Sequence, residues 1–283
     1  MVVVKISDGF GNQLFQYAFG YALSRKLNTK LILDATVLDN HPTRNYELDK
    51  LNIKAERVIS YKNWPNQLVR KILHKLNMRK IHSQTTFFKE KEKWKYDATI
   101  DKLSDNIYLD GYWQTEKYFL PYREELLELL SPNYQLSDDA KKYIKKVTER
   151  NSVSVHIRRG DYEALGNCIN EGYYVQAIEK IINQQPDAEF FVFSDNLVYA
   201  EQFMRQFKNL CYELVKYKSD NLALDDFFIM SSCRTNIIAN STFSWWTQYL
   251  SKSENKIIVS PSRWFNNDYE SPLIGKDWIK IST

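Results

Sequence analysis

Between Ser152 and Val259, short apolar runs alternate with segments of helical spacing, and no other feature limits the fold as much. Ser152 to Ile157, Glu189 to Phe193, Thr235 to Ala239 and Lys256 to Val259 read as strands. Tyr173 to Gln184, Val198 to Phe207, Asp225 to Ser232 and Phe243 to Leu250 read as helices. Strands joined through helices run parallel, because the crossover returns the chain to the same end of the sheet. The beginning of the chain repeats the arrangement: Val2 to Ile6 is a strand, Leu14, Tyr17, Ala18, Tyr21 and Ala22 mark a helix, and Leu31 to Leu33 is a strand ending at Asp34. Tyr108 to Gln114 is a further strand that runs into an aromatic, polar patch. Polar, turn-rich sequence from Pro132 to Ser137 separates an N-terminal domain, 1–135, from a C-terminal one, 136–283.

In such sheets ligands gather at the carboxyl ends of the strands. Three polar clusters follow strand ends in the second half: His156 with Arg158, Ser194 with Asp195, and Asn240 with Ser241 and Thr242. Ser241 and Thr242 also open a helix, whose free N–H groups and dipole attract anions. An arginine beside that helix start makes a cradle for a diphosphate or carboxylate, since a guanidinium presents a fixed fork of donors. Taken singly, an Arg-Asp pair that pins a turn and a serine N-cap are the plainer accounts. Alternation puts His156 and Arg158 on one face. Arg159 falls with Val153, Val155 and Ile157, which suits bracing through Asp161. In the first half, Gly9 and Gly11 lack the third glycine of a dinucleotide fingerprint, although two glycines let backbone approach a ligand. Tyr112 and Trp113 suit either a sugar face or the core.

Composition narrows the function. Three cysteines, Cys168, Cys211 and Cys233, have neither disulfide nor metal-ligand spacing, which fits a reducing cytoplasm. Met1 to Ile6 enters a strand directly, without the apolar core of a signal peptide. No run reaches the roughly 20 apolar residues of a membrane span. A net charge of +4 is too mild to argue for nucleic acid. That charge is concentrated: Lys62 to Lys95 holds ten Lys or Arg against two Glu. Within it Leu68, Val69, Ile72, Leu73 and Leu76 recur at helical spacing among Arg70, Lys71, Lys75, Arg79 and Lys80. This is a basic amphipathic helix, read either as peripheral contact with an anionic membrane or as an ordinary surface helix with solvated lysines.

Several stretches together resemble the bacterial α-1,2-fucosyltransferases of glycosyltransferase family 11. They are Gly9-Phe10-Gly11-Asn12-Gln13-Leu14-Phe15-Gln16-Tyr17-Ala18, Gly111-Tyr112-Trp113-Gln114, His156-Ile157-Arg158-Arg159-Gly160-Asp161-Tyr162, Phe193-Ser194-Asp195 and Ile238-Ala239-Asn240-Ser241-Thr242-Phe243-Ser244-Trp245-Trp246. They occur in the family's order across most of the chain. The sequence departs from the pattern at Ser7-Asp8, where a second glycine usually precedes Gly9, and at Thr247-Gln248, where small residues are usual. The resemblance implies an α/β fold of GT-B type: two Rossmann-like domains with mainly parallel sheets facing each other across a cleft. It implies GDP-fucose as donor, held mainly by the C-terminal domain, and inverting transfer to the 2-hydroxyl of a galactose-type residue. The acceptor would be a glycan of O-antigen or lipooligosaccharide, lipid-linked where the basic helix meets the inner face of the cytoplasmic membrane.

Carried over, Arg158, Asn12 and Asp161 form the catalytic set. His156, Arg158, Arg159, Ser194, Asp195, Asp226, Asn240, Ser241 and Thr242 line the donor, with Asp226 at the guanine edge. No cofactor and no metal are expected: Asp225-Asp226 resembles a metal-binding carboxylate pair, but at a helix start it complements the dipole. Asp8, Asp110, Glu116 and Asp161 all stand as candidates for the base. Two other readings stay open, a sulfotransferase- or kinase-like enzyme and a non-enzymatic glycan- or RNA-binding module. Against the kinase, the chain has no Gly-x-x-x-x-Gly-Lys-Ser/Thr loop.

Overall fold

The computed structural model describes residues 1–39, 41–58, 67–164, 166–265 and 271–283, with the side chains of residues 67, 70, 161 and 164 also outside that description. By its contacts the chain divides into Met1–Tyr134 and Gln135–Thr283.

In the first unit, β1 (Val2–Lys5), β2 (Leu31–Asp34), β3 (Glu56–Arg57), β4 (Thr86–Lys89) and β5 (Ile107–Asp110) lie in the order β3-β2-β1-β5-β4. Their pairings are parallel. Among the described residues the α-helices that accompany them are α1 (Phe10–Lys26), α2 (Gln67–Gln84) and α3 (Arg123–Leu129). Adjacent residues of a strand point to opposite faces, so β1 serves both layers. Val3 packs with Met78 and Ile81 of α2, whereas Val4 lies under Gly20 of α1, where an added Cβ would sit 2.3 Å from Val4 Cγ2.

The second unit contains α4 (Asp138–Glu149), β6 (Ser152–Ile157), α5 (Gly160–Ala164), α6 (Glu171–Gln184), β7 (Glu189–Ser194), α7 (Leu197–Met204) and β8 (Tyr212–Leu214). It continues through α8 (Leu222–Ser231), β9 (Thr235–Ile237), α9 (Thr242–Leu250), β10 (Ile257–Pro261) and β11 (Ile279–Ile281). The strand order is β11-β10-β9-β6-β7-β8, again parallel. Phe190 and Val192 of β7 pack toward α6 and α7, while Phe191 and Phe193 pack toward α4 and α8. Burial on both faces explains why β7 is a continuous apolar run and not an alternating one.

Both sheets are doubly wound. The second leaves β6 through β7 and β8, then returns to the other side of β6 with β9, which makes a switch point between β6 and β9. The first has its switch between β1 and β5.

Several expectations need correction. Gly9 is the N-cap of α1, so Gly11 is helical and only Gly9 belongs to the loop. α8 starts at Leu222, so Asp225 lies in its first turn and Asp226 just after it. The strand expected over Tyr108 to Gln114 stops at Asp110. At the departure from the family pattern, Asp8 holds φ +63°, so the position keeps the left-handed conformation natural to glycine. Aspartate is among the few residues that tolerate it.

Candidate functional site

In the second unit the site is built around one carboxylate. Asp195 follows β7, and its Oδ2 meets Arg158 Nη1 at 2.6 Å just past the end of β6. Its Oδ1 accepts the Arg159 backbone N–H at 2.9 Å. Between these contacts lies Gly160, with φ +26° and no room for a side chain: an added Cβ would sit 2.4 Å from Asp195 Oδ2. The glycine therefore lets the turn close onto the carboxylate, and the carboxylate fixes the guanidinium beneath the sheet edge. Tyr162 lies 5.3 Å from the Arg158 guanidinium carbon, measured to the ring centre. Its hydroxyl donates to the Asn240 carbonyl at 3.3 Å, tying the β6 turn to the segment after β9.

Ser241 is the N-cap of α9, its hydroxyl accepting from Phe243 N–H at 3.3 Å, and Thr242 is the first helical residue. Asn240 donates from Nδ2 to the carbonyls of Asn167 at 3.1 Å and Trp264 at 3.3 Å. His156 is buried, with its ring 5.6 Å from Phe243. Burial, reinforced by the Arg158 charge, pushes its pKa down to about 3, so the imidazole is neutral at any ordinary pH. Its Nδ1 is buried without a hydrogen-bond partner. Arg158, His156 and the start of α9 thus converge at the β6–β9 switch point, where an anion would meet one fixed guanidinium and one helix terminus.

Two other residues expected at the donor are engaged inside the protein. Ser194 donates to the Ile157 carbonyl at 2.7 Å and accepts from Asn196 N–H at 3.0 Å, which makes it a turn residue. Arg159 pairs with Glu163, Nη2 to Oε1 at 2.6 Å, and covers the Tyr199 ring at 4.1 Å. Its brace is therefore Glu163. The Asp161 side chain lies outside the described residues.

Asp226, mostly buried on α8, accepts the Tyr217 hydroxyl at 2.8 Å. Burial pushes its pKa up to about 7, and the Asp225 charge adds to that while the Tyr217 bond opposes it. Dipole complementation does not describe such a carboxyl. Because the folded state holds this proton more tightly than the unfolded chain, stability falls as pH rises from about 4 to about 7 and is level above that. Asp226→Asn keeps an acceptor for Tyr217 and removes the titration. Its unfolding free energy is expected to gain on the parent across that window by a few kcal/mol, at about 1.4 kcal/mol per tenfold change in proton affinity. Denaturant melts at pH 4.5 and pH 8 check this, and a constant difference would refute it.

The first unit has its own polar cluster at the β1–β5 switch. Tyr112 donates to Asp8 Oδ2 at 2.5 Å, and Gln114 donates from Nε2 to Asn12 Oδ1 at 2.8 Å. Glu90 accepts the backbone N–H groups of Tyr112 at 2.7 Å and Trp113 at 3.1 Å, holding the loop after β5. Trp113 is fully buried against Phe19, Phe88 and Tyr118, which settles it as core. Buried Gln13 donates to the Asp8 and Asn45 carbonyls, and buried Gln16 accepts from Ser7 N–H. Sequence reading missed Glu90, Gln13 and Gln16 as loop supports. The signal for the glutamines was present: two glutamines three residues apart, next to Asn12, in the largely apolar start of a helix. Among the described residues, no three His, Cys, Asp or Glu side chains group as metal ligands.

The model of the family described as glycosyl transferase family 11 matches residues 1–282. The chain is similar to the alpha-1,2-colitosyltransferase of Escherichia coli, 35% identical over 99% of both proteins. It is also 31% identical to the O-antigen biosynthesis glycosyltransferase WbnK of Escherichia coli, over 98% of this chain and 99% of that one. Among solved structures it is similar to a mutant form of Arabidopsis thaliana FUT1 in complex with GDP, with TM-score 0.52 at 13% identity, covering 94% of this chain and 72% of that one. It is likewise similar to POFUT1 in complex with GDP, with TM-score 0.51 at 11% identity over 92% and 97% of the two chains. At those identities the likeness concerns the fold alone: α/β, with two Rossmann-like units, of the GT-B class.

Proposed function

The chain belongs to glycosyl transferase family 11, and from that membership we propose that it transfers L-fucose from GDP-β-L-fucose to the 2-hydroxyl of a galactose-type residue. The linkage formed is α-1,2, with inversion, in a glycan of O-antigen or lipooligosaccharide assembled on the cytoplasmic side. The names of the two bacterial relatives support the 1,2 linkage and the O-antigen setting. Membership in a glycosyltransferase family removes the sulfotransferase, kinase and binding-module readings.

The observation that carries the proposal is Arg158, fixed by Asp195 at 2.6 Å just past β6, the strand that pairs with β9, which leads into α9. A diphosphate there meets a guanidinium from one side and the Thr242 end of the helix from the other. As the bond from the anomeric carbon to the β-phosphate oxygen breaks, negative charge collects on that oxygen, and a fixed cation lowers the barrier without reorganising. Neutral His156, Asn240 and Ser241 complete the donor side in this reading, and Asp226 meets the guanine edge. Asp195, Ser194 and Arg159 act through the turn that they hold. The acceptor meets the first unit near Asn12. Transfer takes no divalent metal, since Arg158 and the helix supply the positive charge.

A second donor is favoured by one observation, the similarity to a colitosyltransferase. Colitose differs from fucose in lacking the 3-hydroxyl, so the two GDP-sugars share every contact proposed here except those to that group. One experiment tests both. The protein is offered GDP-fucose and GDP-colitose with galactose-terminated oligosaccharides, with and without EDTA, and the product linkage is determined by NMR. Expected is an α-1,2-fucosylated product that survives EDTA, together with thermal stabilisation by GDP but not by ATP or an RNA oligomer. Preference for GDP-colitose selects the second donor, no stabilisation by GDP overturns both, and loss of product with EDTA overturns the metal-free step.

A further inference from the structure

We propose that α2 and the adjoining edge of β4 form a docking face for an anionic lipid bilayer. Leu68, Ile72 and Leu76 recur every four residues along α2 and are 67%, 49% and 57% exposed. A different side of the helix, carrying Met78 and Ile81, is packed against Val3 and Tyr108 of the sheet. The helix therefore has two apolar stripes, one serving the core and the other facing out. Single exposed aliphatic residues are ordinary, but an aligned series marks an interaction surface.

Exposed Lys71, Lys75 and Arg79 also recur every four residues, three positions on from the aliphatic series, so each cation flanks an apolar neighbour. Lys80 is exposed as well. Phe87 of β4 is 55% exposed and stacks on Tyr108 with ring centres 5.3 Å apart. His82 of α2 meets the same Tyr108 ring edge-on at 5.0 Å, which places Phe87 on the α2 side of the sheet. Along the helix runs an open groove of about 610 Å³ lined by His74, Lys75, Met78, Arg79, His82 and Ser83. Its donors suit a lipid phosphate.

The chemistry selects the occupant. An aliphatic stripe between long cations is the pattern of a helix lying in the headgroup plane: Ile72 and Leu76 enter the acyl boundary while Lys75 and Arg79 extend to the phosphates. A second copy of the chain would bring two basic patches together, and the window around α2 holds ten Lys or Arg against two Glu. Nucleic acid would satisfy the cations but offers no sink for the aliphatic groups. Three aliphatic side chains give only marginal affinity for a neutral surface, so the charges must supply the rest. Docking is thus specific for anionic lipid and weakened by salt. It does not rest on the donor or acceptor assigned above, although it would bring a lipid-linked acceptor within reach.

Co-sedimentation of the full chain with phosphatidylcholine vesicles, with and without phosphatidylglycerol, tests this. Binding to the mixed vesicles is expected to exceed binding to the neutral ones by about tenfold or more and to fall as salt is raised. The pair Ile72→Ser with Leu76→Ser should abolish it. So should Lys75→Glu with Arg79→Glu, which leaves the aliphatic stripe intact. Both variants should keep transfer to a water-soluble acceptor, which separates lost docking from lost folding or lost catalysis. Equal binding to both vesicles, no binding, or binding unaffected by either pair overturns the proposal. A vesicle-free dimer that the serine pair dissociates would replace the bilayer with a second copy, and retention by RNA but not by vesicles would replace it with nucleic acid.

Discussion

Arg158→Ala is expected to lower kcat/KM for sugar transfer by at least roughly a hundredfold, about 2.7 kcal/mol, while the protein stays folded. The two parts of that expectation have different causes. Arg158 and Asp195 keep 24% and 26% of their side chains exposed, and a partly solvated ion pair is worth about 1 kcal/mol or less to stability. In the proposed reaction the same guanidinium would face charge that appears only as GDP departs, so its contribution would belong to the transition state. Arg158→Lys is the sharper companion. Lysine restores the charge but not the planar fork that Asp195 holds from one side and a diphosphate would occupy from the other. It should recover only a small part of the loss. Steady-state kinetics with a galactose-terminated acceptor, alongside a thermal melt of each variant, gives both quantities. If Arg158→Ala kept most of its activity, the leaving group would have to be stabilised elsewhere and the site at the β6–β9 switch would lose its central member.

The interior strands were legible because burial on both faces leaves a mark in composition. β7 and β10 are runs that hydrophobicity alone picks out, β6 shows itself by alternation, and the polar residues that follow β6, β7 and β9 located the sheet edge that carries Arg158 and Ser241. The outer strands carry no such mark. Glu56–Arg57 of β3 is exposed, Thr86–Lys89 of β4 mostly so, and β8 and β11 have three residues each. At a sheet edge backbone pairing, not side-chain burial, defines the strand, and sequence patterns report burial. Residue roles divide in the same way. Arg158 and Thr242 could be placed from their own neighbourhoods, because strand end and helix start are local features. Asp195 could not: it read as a ligand-side group, and only the packing of β7 beside β6 reveals that both its oxygens are taken by the 158–159 turn. Glu90 sits in a run of lysines that looks like solvated surface, yet it caps a loop more than twenty residues later. Asp8 shows the limit of pattern matching. Where the family pattern has glycine, this chain has an aspartate at a left-handed backbone angle that glycine would adopt freely, its side chain anchored by Tyr112.

Trp113→Ala should cost the first unit about 3 to 5 kcal/mol of stability, the range for removing a large buried aromatic side chain. The ring is wholly buried, with centres 4.7 Å from Phe19, 5.8 Å from Tyr118 and 5.9 Å from Phe88. Its backbone stands at φ +57°, which an L-residue other than glycine adopts at a cost. What offsets that cost is the ring packing together with the Glu90 carboxylate, which takes the N–H groups of residues 112 and 113. Deleting the ring removes the first of these. The loop that presents Gln114 to Asn12 then loses its anchor, so acceptor KM should rise while GDP binding at the second unit is unchanged. Trp113→Phe separates packing from polarity. The indole Nε1 is buried without a hydrogen-bond partner, and an unmet donor costs about 1 to 3 kcal/mol. Phenylalanine leaves a small cavity but removes that donor, and the two effects oppose each other. Denaturant melts should therefore rank Trp113→Phe close to the parent and Trp113→Ala far below both. An alanine variant within about 1 kcal/mol of the parent would mean that the aromatic cluster does not hold the loop, and that the left-handed turn at Trp113 is maintained by Glu90 alone.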